Sequence, residues 1–151
     1  MTKFMLFLMA VFLLPSMDLQ SQDLEQHRWN NRLILIFFND YKDTDLTDQL
    51  SEFKNFETGL HERKVLVYQI TPDKFKLGWN DQHKWEQASE DLFSKYKITE
   101  SKFEVLLIGL DGGVKLKAQD PINCEELFRI IDSMPMRQRE LQEKNRNQRP
   151  H

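Results

Sequence analysis

Residues 103–117 read FEVLLIGLDGGVKLK, and this stretch decides the fold. Phe103 to Leu110 is an apolar run of strand length. Asp111-Gly112-Gly113 is a tight-turn signal, because glycines supply the positive φ angles that two-residue hairpins need. Val114 to Lys117 then returns as a strand antiparallel to the first, and its alternating charge suits a sheet edge. The turn leaves no room for the crossover that a parallel pair would require.

Upstream, Leu33 to Phe38 (LILIFF) is a continuous apolar run, as expected of a central strand covered on both faces. From Asp43 the period changes, and Leu46, Leu50, Phe53 and Leu60 recur at helical spacing, with Gly59 near the expected end. Val65 to Ile70 (VLVYQI) is a second strand, stopped by Pro72. Thr71 to Asn80 is a connector, after which Trp85, Ala88, Leu92, Phe93 and Tyr96 form a second helical stripe. Downstream of the hairpin, Asn123 is a helix N-cap with Glu126 three residues on. Leu127, Phe128, Ile131 and Met134 form that helix's buried face, and Pro135 ends or kinks it. The remainder, MRQRELQEKNRNQRPH, has few apolar residues and is expected to fray. The order β-α-β-α-β-β-α predicts an α/β, thioredoxin-like fold, a mixed four-stranded sheet with helices on both faces. A flavodoxin-like fold would need a helix where the tight turn stands.

The chain opens MTKFMLFLMAVFLLPSMDLQSQ. Lys3, the apolar run Phe4 to Leu14 and the polar stretch after it form a secretory signal pattern, with a cut expected after Ser21. The expected organisation is a signal peptide at 1–21, one domain at 22–136 and a charged tail at 137–151, in a secreted or periplasmic protein. No later apolar run is long enough to be a transmembrane helix. The net charge is -3, and removing Lys3 and Asp18 with the leader leaves it there. A mildly acidic chain without a basic stripe argues against a nucleic-acid partner. The single cysteine, Cys124, cannot form an internal disulfide, so an exported domain must rely on its packed core.

Four strings carry a family resemblance: RWNNRLILIF (28–37), GLHERKVLVYQI (59–70), VLLIGLDGGVKLK (105–117) and ELFRIIDSMPMRQRE (126–140). Together they resemble the P-DUDES family, domain of unknown function 4174. The resemblance implies a thioredoxin-like fold distantly related to peroxiredoxins, in exported bacterial proteins and in modules of animal extracellular proteins. It implies no established catalytic activity.

A thiol enzyme of this fold needs a thiolate at the start of the first helix, where the helix N-terminus lowers the thiol pKa. Here that region reads Asn39, Asp40, Tyr41, Lys42, Asp43, Thr44, Asp45, with no cysteine. Enzymes of this fold also carry a cis-proline before the third strand, whereas Lys97 to Phe103 (KITESKF) contains no proline. Cys124, at the start of the last helix, is the one catalytic candidate, and it lacks a resolving partner. Asp40, Asp43, Asp45 and Asp48 lack the glycine turn and ligand steps of a Ca2+ loop, and the histidines show no paired spacing, so no metal or cofactor is expected. Tyr41, Trp79, Trp85 and Arg137 are the candidate binding residues. The two tryptophans flank the loop GWNDQHKW as a possible peptide or sugar rim, or cover the core. Arg137, in Met-Pro-Met-Arg, pairs with a carboxylate or marks a binding face. The expected role is a non-catalytic module whose partner is a protein, peptide or glycan in the envelope or extracellular space. The alternative is a divergent peroxiredoxin-like or thiol-dependent oxidoreductase using Cys124.

Overall fold

The computed structural model of the chain describes residues 24–80, 82–88, 90–97 and 99–148, so the expected leader lies outside it. Strand β1 (Arg32–Phe38) is buried at every position. It runs parallel to β2 (Val65–Ile70) on one side and antiparallel to β5 (Phe103–Ile108) on the other. That central place is why its apolar run is unbroken: both faces need cover. Ile34, Ile36 and Phe38 pack on one side of the sheet with Leu46, Phe53, Leu60, Leu127 and Ile131. Leu33, Leu35 and Phe37 pack on the other with Tyr68, Ile70 and Leu92. The helices supplying those residues are α1 (Thr44–Asn55), α2 (Glu57–Glu62) and α4 (Cys124–Ser133) on the first face, and α3 (Glu90–Tyr96) on the second.

The predicted hairpin is present. β5 pairs antiparallel with β6 (Val114–Ala118), Asp111 Oδ1 accepts the Gly113 N–H at 3.0 Å, and Gly112 takes φ 81°. The order β2-β1-β5-β6 is the expected thioredoxin-like core.

Four expectations need correction. The sheet has six strands, because β3 (Lys74–Leu77) and β4 (Glu86–Gln87) extend it beyond β2. The supposed connector hides a hairpin closed by Thr71, whose N–H bonds Lys74 O at 2.8 Å and whose hydroxyl accepts the Lys74 N–H at 3.0 Å. A hydroxyl turn of this kind imitates a backbone turn without the Asn-Gly or Gly-Gly signature. Second, the first predicted helix breaks at Phe56, and Gly59 lies inside α2 rather than at an end. There it permits a close approach: a Cβ at Gly59 would stand 2.6 Å from Phe128 Cε2. Third, the second helical stripe is shorter than predicted, with Trp85 ahead of β4 and only Glu90–Tyr96 helical.

Last, the segment expected to fray is helix α5 (Pro135–Asn147), and the expected boundary at 136 runs through its first turn. Pro135 occupies its first turn, where the missing N–H costs nothing and the fixed φ suits the helix. Met134, extended at φ -68° and ψ 138°, ends α4 and starts α5. No helix among the described residues is long and apolar enough to cross a membrane.

Candidate functional site

At the carboxyl end of β1 the loop folds on its own aspartates. Asp40 Oδ1 accepts the Lys42 N–H at 2.9 Å, and Asp43 Oδ1 caps α1 by accepting the Asp45 N–H at 3.0 Å. The helix end where a thiol enzyme holds its anion is therefore already met by a carboxylate. Tyr41 and Trp85, far apart in sequence, are brought together here. Their rings meet edge to face at 5.3 Å, and Tyr41 also rests edge-on against Phe38 at 5.2 Å. Tyr41 is exposed and Trp85 half-buried over the core. Beside them, the proline-free approach to β5 is tied by Ser101 Oγ, which donates to Phe103 O at 2.7 Å, and by the buried Glu104 carboxylate, which accepts the Thr99 N–H at 2.9 Å. Trp79 is placed elsewhere, in a cleft of about 300 Å³ with Leu60, Val67, Leu77 and His83.

Cys124 is the first residue of α4 and is 0% exposed. Its backbone N–H donates to Glu52 Oε1 at 2.8 Å. Burial first, and the Glu52 carboxylate second, push its thiol up to about 12. A thiol held there is overwhelmingly protonated at neutral pH and is a poor nucleophile.

Arg137 is not offered to solvent: it is 5% exposed and pairs with carboxylates. Nε donates to Asp132 Oδ1 at 3.1 Å, and Nη1 to Glu140 Oε2 at 3.1 Å and Glu62 O at 3.2 Å. Asp132 also takes a two-pronged contact from Arg63, at 3.0 and 2.6 Å. Burial alone would raise the Asp132 carboxyl, but hydrogen bonds from Arg63 and then Arg137 hold it below its ordinary value. Arg32, at the head of β1, reaches the same cluster through Nη1, which donates to Arg63 O at 2.9 Å and Glu140 Oε1 at 3.2 Å. Alongside lies a cleft of about 400 Å³, bordered by Trp29, Arg32, Leu110, Lys115, Met134 and Met136. It sits at the opposite end of β1 from Tyr41, roughly 20 Å away at strand rise.

Residues 23–140 match the family described as Domain of unknown function (DUF4174). The chain belongs to this family. No curated protein sequence matches this DUF4174 chain. Among solved structures it is similar to the reduced 2-Cys peroxiredoxin of Plasmodium vivax, at 14% identity and TM-score 0.54 over 77% of this chain and 72% of that one. It is also similar to the mitochondrial 2-Cys peroxiredoxin of Plasmodium falciparum (15% identity, TM-score 0.49, 74% of this chain and 79% of that). StoA from Bacillus subtilis gives 15% identity and TM-score 0.47 over 66% of this chain and 81% of that. At this identity the first likeness establishes the thioredoxin-like fold of the DUF4174 domain, the fold peroxiredoxins also have, and nothing about its chemistry.

Arg32 and Trp29, which the fold places beside the 400 Å³ cleft, were not singled out from the sequence of this DUF4174 domain. A signal for Arg32 was present: a cation at the first position of a strand that is otherwise wholly apolar must find partners or a ligand. Among the described residues no group of three His, Cys, Asp or Glu side chains is arranged to hold a metal ion.

Proposed function

We propose that this DUF4174 domain is an exported binding module that works without redox chemistry. The observation that carries the reading is the state of its only thiol: Cys124 is sealed in the core with its pKa raised to about 12, while Asp43 occupies the helix start where a redox thiol belongs. A fold related to peroxiredoxins thus keeps its frame around a loop with no nucleophile. The paired rings of Tyr41 and Trp85 at that loop, and the half-buried Trp79 in its own cleft, offer aromatic surface for a protein, peptide or glycan partner. Export rests on the signal pattern at residues 1–21, with cleavage after Ser21.

Peroxide consumption by the purified protein, with a thiol reductant and beside Cys124→Ser, tests the reading. Neither protein is expected to turn over peroxide. Turnover that disappears in Cys124→Ser would establish the rival reading, a one-cysteine peroxidase.

A further inference from the structure

The guanidinium of Arg32 is 0% exposed, yet among the described residues Nη1 alone has partners; Nε and Nη2 are buried with no hydrogen-bond partner there. Those two nitrogens form one edge of the guanidinium, and their N–H bonds run parallel. That edge is the fork that grips a carboxylate with two hydrogen bonds. A buried donor without an acceptor costs on the order of 1–3 kcal/mol, and more when charged. The surrounding charges are also one short. Among the described residues, Arg32, Arg63, Arg137 and Lys144 are four cations joined by ion pairs to three carboxylates, Glu62, Asp132 and Glu140. A single negative charge would complete both the hydrogen bonding and the charge balance.

Arg32 borders the 400 Å³ cleft, whose other walls are largely apolar: Leu110, Met134, Pro135, Met136 and the Trp29 indole. The volume falls at the small end of small-molecule sites, roughly 300–1,000 Å³. Trp29 is held at the rim by a backbone in the left-handed region, φ 66°, with its N–H bonded to Leu110 O at 2.7 Å. It is 59% exposed and Met136 is 37% exposed, a large apolar area to leave open to water. Lys115 at the edge is paired with Asp111 at 2.6 Å, which offsets that carboxylate's repulsion of an anion.

We propose that this cleft binds a small hydrophobic monocarboxylate. Its carboxylate seats in the Nε/Nη2 fork of Arg32, and its apolar body lies against Met134, Met136 and Trp29. The flexible Met136 side chain swings aside to admit it, as methionine's unbranched thioether allows. This assignment rests on the binding-module reading and supplies a ligand class for it.

The test is calorimetric titration of the purified protein with octanoate, with octanamide as the uncharged match and a short peptide ending in a free C-terminal leucine as the macromolecular match. Octanoate is expected to bind saturably at one site, at least tenfold tighter than octanamide or the peptide. Met136→Glu places a like charge at the mouth, on the first turn of α5 where an acid suits the helix. It should weaken octanoate at least tenfold while leaving the melting temperature in place. Arg32→Lys keeps the charge and removes the fork, and is expected to lose the preference for octanoate over octanamide. Equal binding of octanoate and octanamide, full affinity in Met136→Glu, no saturable binding, or tighter binding of the peptide would each overturn the assignment. The peroxide assay is independent of these results. Absent octanoate binding with absent turnover removes this site alone, whereas turnover dependent on Cys124 removes the binding-module reading.

Discussion

Cys124 begins a helix, a position that ordinarily lowers a thiol pKa, yet its thiol is pushed up to about 12. Burial outweighs the dipole, and the Glu52 carboxylate already holds the helix-start N–H. Because the raised pKa belongs to the folded state, the neutral thiol favours folding. That contribution is complete below the unfolded value of roughly 8.5 and is lost as pH rises from there toward 12. Urea unfolding at a series of pH values should therefore show the stability gap between wild type and Cys124→Ala closing above pH 9. Tyr68, also pushed up, by burial and then by Glu86, affects both proteins alike and cancels in the difference. Parallel curves would disprove the sealed thiol. At this scale the sequence was legible where one residue acts on its neighbours: Asp43 and Asn123 cap helices as their types demand. Arg137 was legible as a carboxylate partner or a binding-face residue, and it pairs with Asp132 and Glu140. Its partners Asp132 and Glu140 are near in sequence, but the Glu62 carbonyl, and Arg32 through the shared Glu140 carboxylate, are brought to it by the fold.

At the scale of elements, α2 meets α4 through Gly59 and Phe128. The Phe128 ring fills the space a Cβ would need, with Arg63 4.0 Å from the ring centre and Phe56 edge-on at 6.1 Å. Gly59→Ala gains about 1 kcal/mol of helix propensity. It also drives a Cβ to within 2.6 Å of the ring, and crowding of that kind costs about 1–3 kcal/mol. A net loss of stability is expected in thermal unfolding, relieved when Phe128→Leu is added. A stabilised single variant would contradict this packing. The sequence placed β1, β2 and β5 because their apolar runs are long, and β6 because the Asp111-Gly112-Gly113 turn requires a returning strand whose alternating charge suits an edge. It missed β3 and β4, which span four and two residues and carry Lys74, Lys76 and Glu86 among their positions. Short edge strands draw their stability from the ladder they join, so their own composition carries little signal.

For the whole molecule, α5 is docked by ion pairs to α2, to α4 and to the head of β1. Lys144 bonds Glu62, Arg137 bonds Glu62 and Asp132, and Glu140 serves both Arg137 and the wholly buried Arg32. Truncation after Met136 removes Glu140 and strands the Arg32 charge in the core. Breaking a buried pair from one side costs about 3–5 kcal/mol. The truncated protein is expected to lose at least that much in urea unfolding. Unchanged stability would show that α5 is the tail its composition suggests.

The sequence by itself determined the thioredoxin-like core, the antiparallel hairpin, the helix caps and the absence of a thiol at the first helix, because each is a local pattern or a residue type at a fixed step. Only the tertiary structure decided that α5 is docked, that Tyr41 meets Trp85, that Cys124 is sealed, and that Arg32 is buried with two nitrogens unpartnered among the described residues, next to an apolar cleft. The physical reason is shared. Each depends on which side chains from distant segments exclude water from a group and which polar atoms they leave to satisfy it, and no window of sequence contains both sides of such a contact.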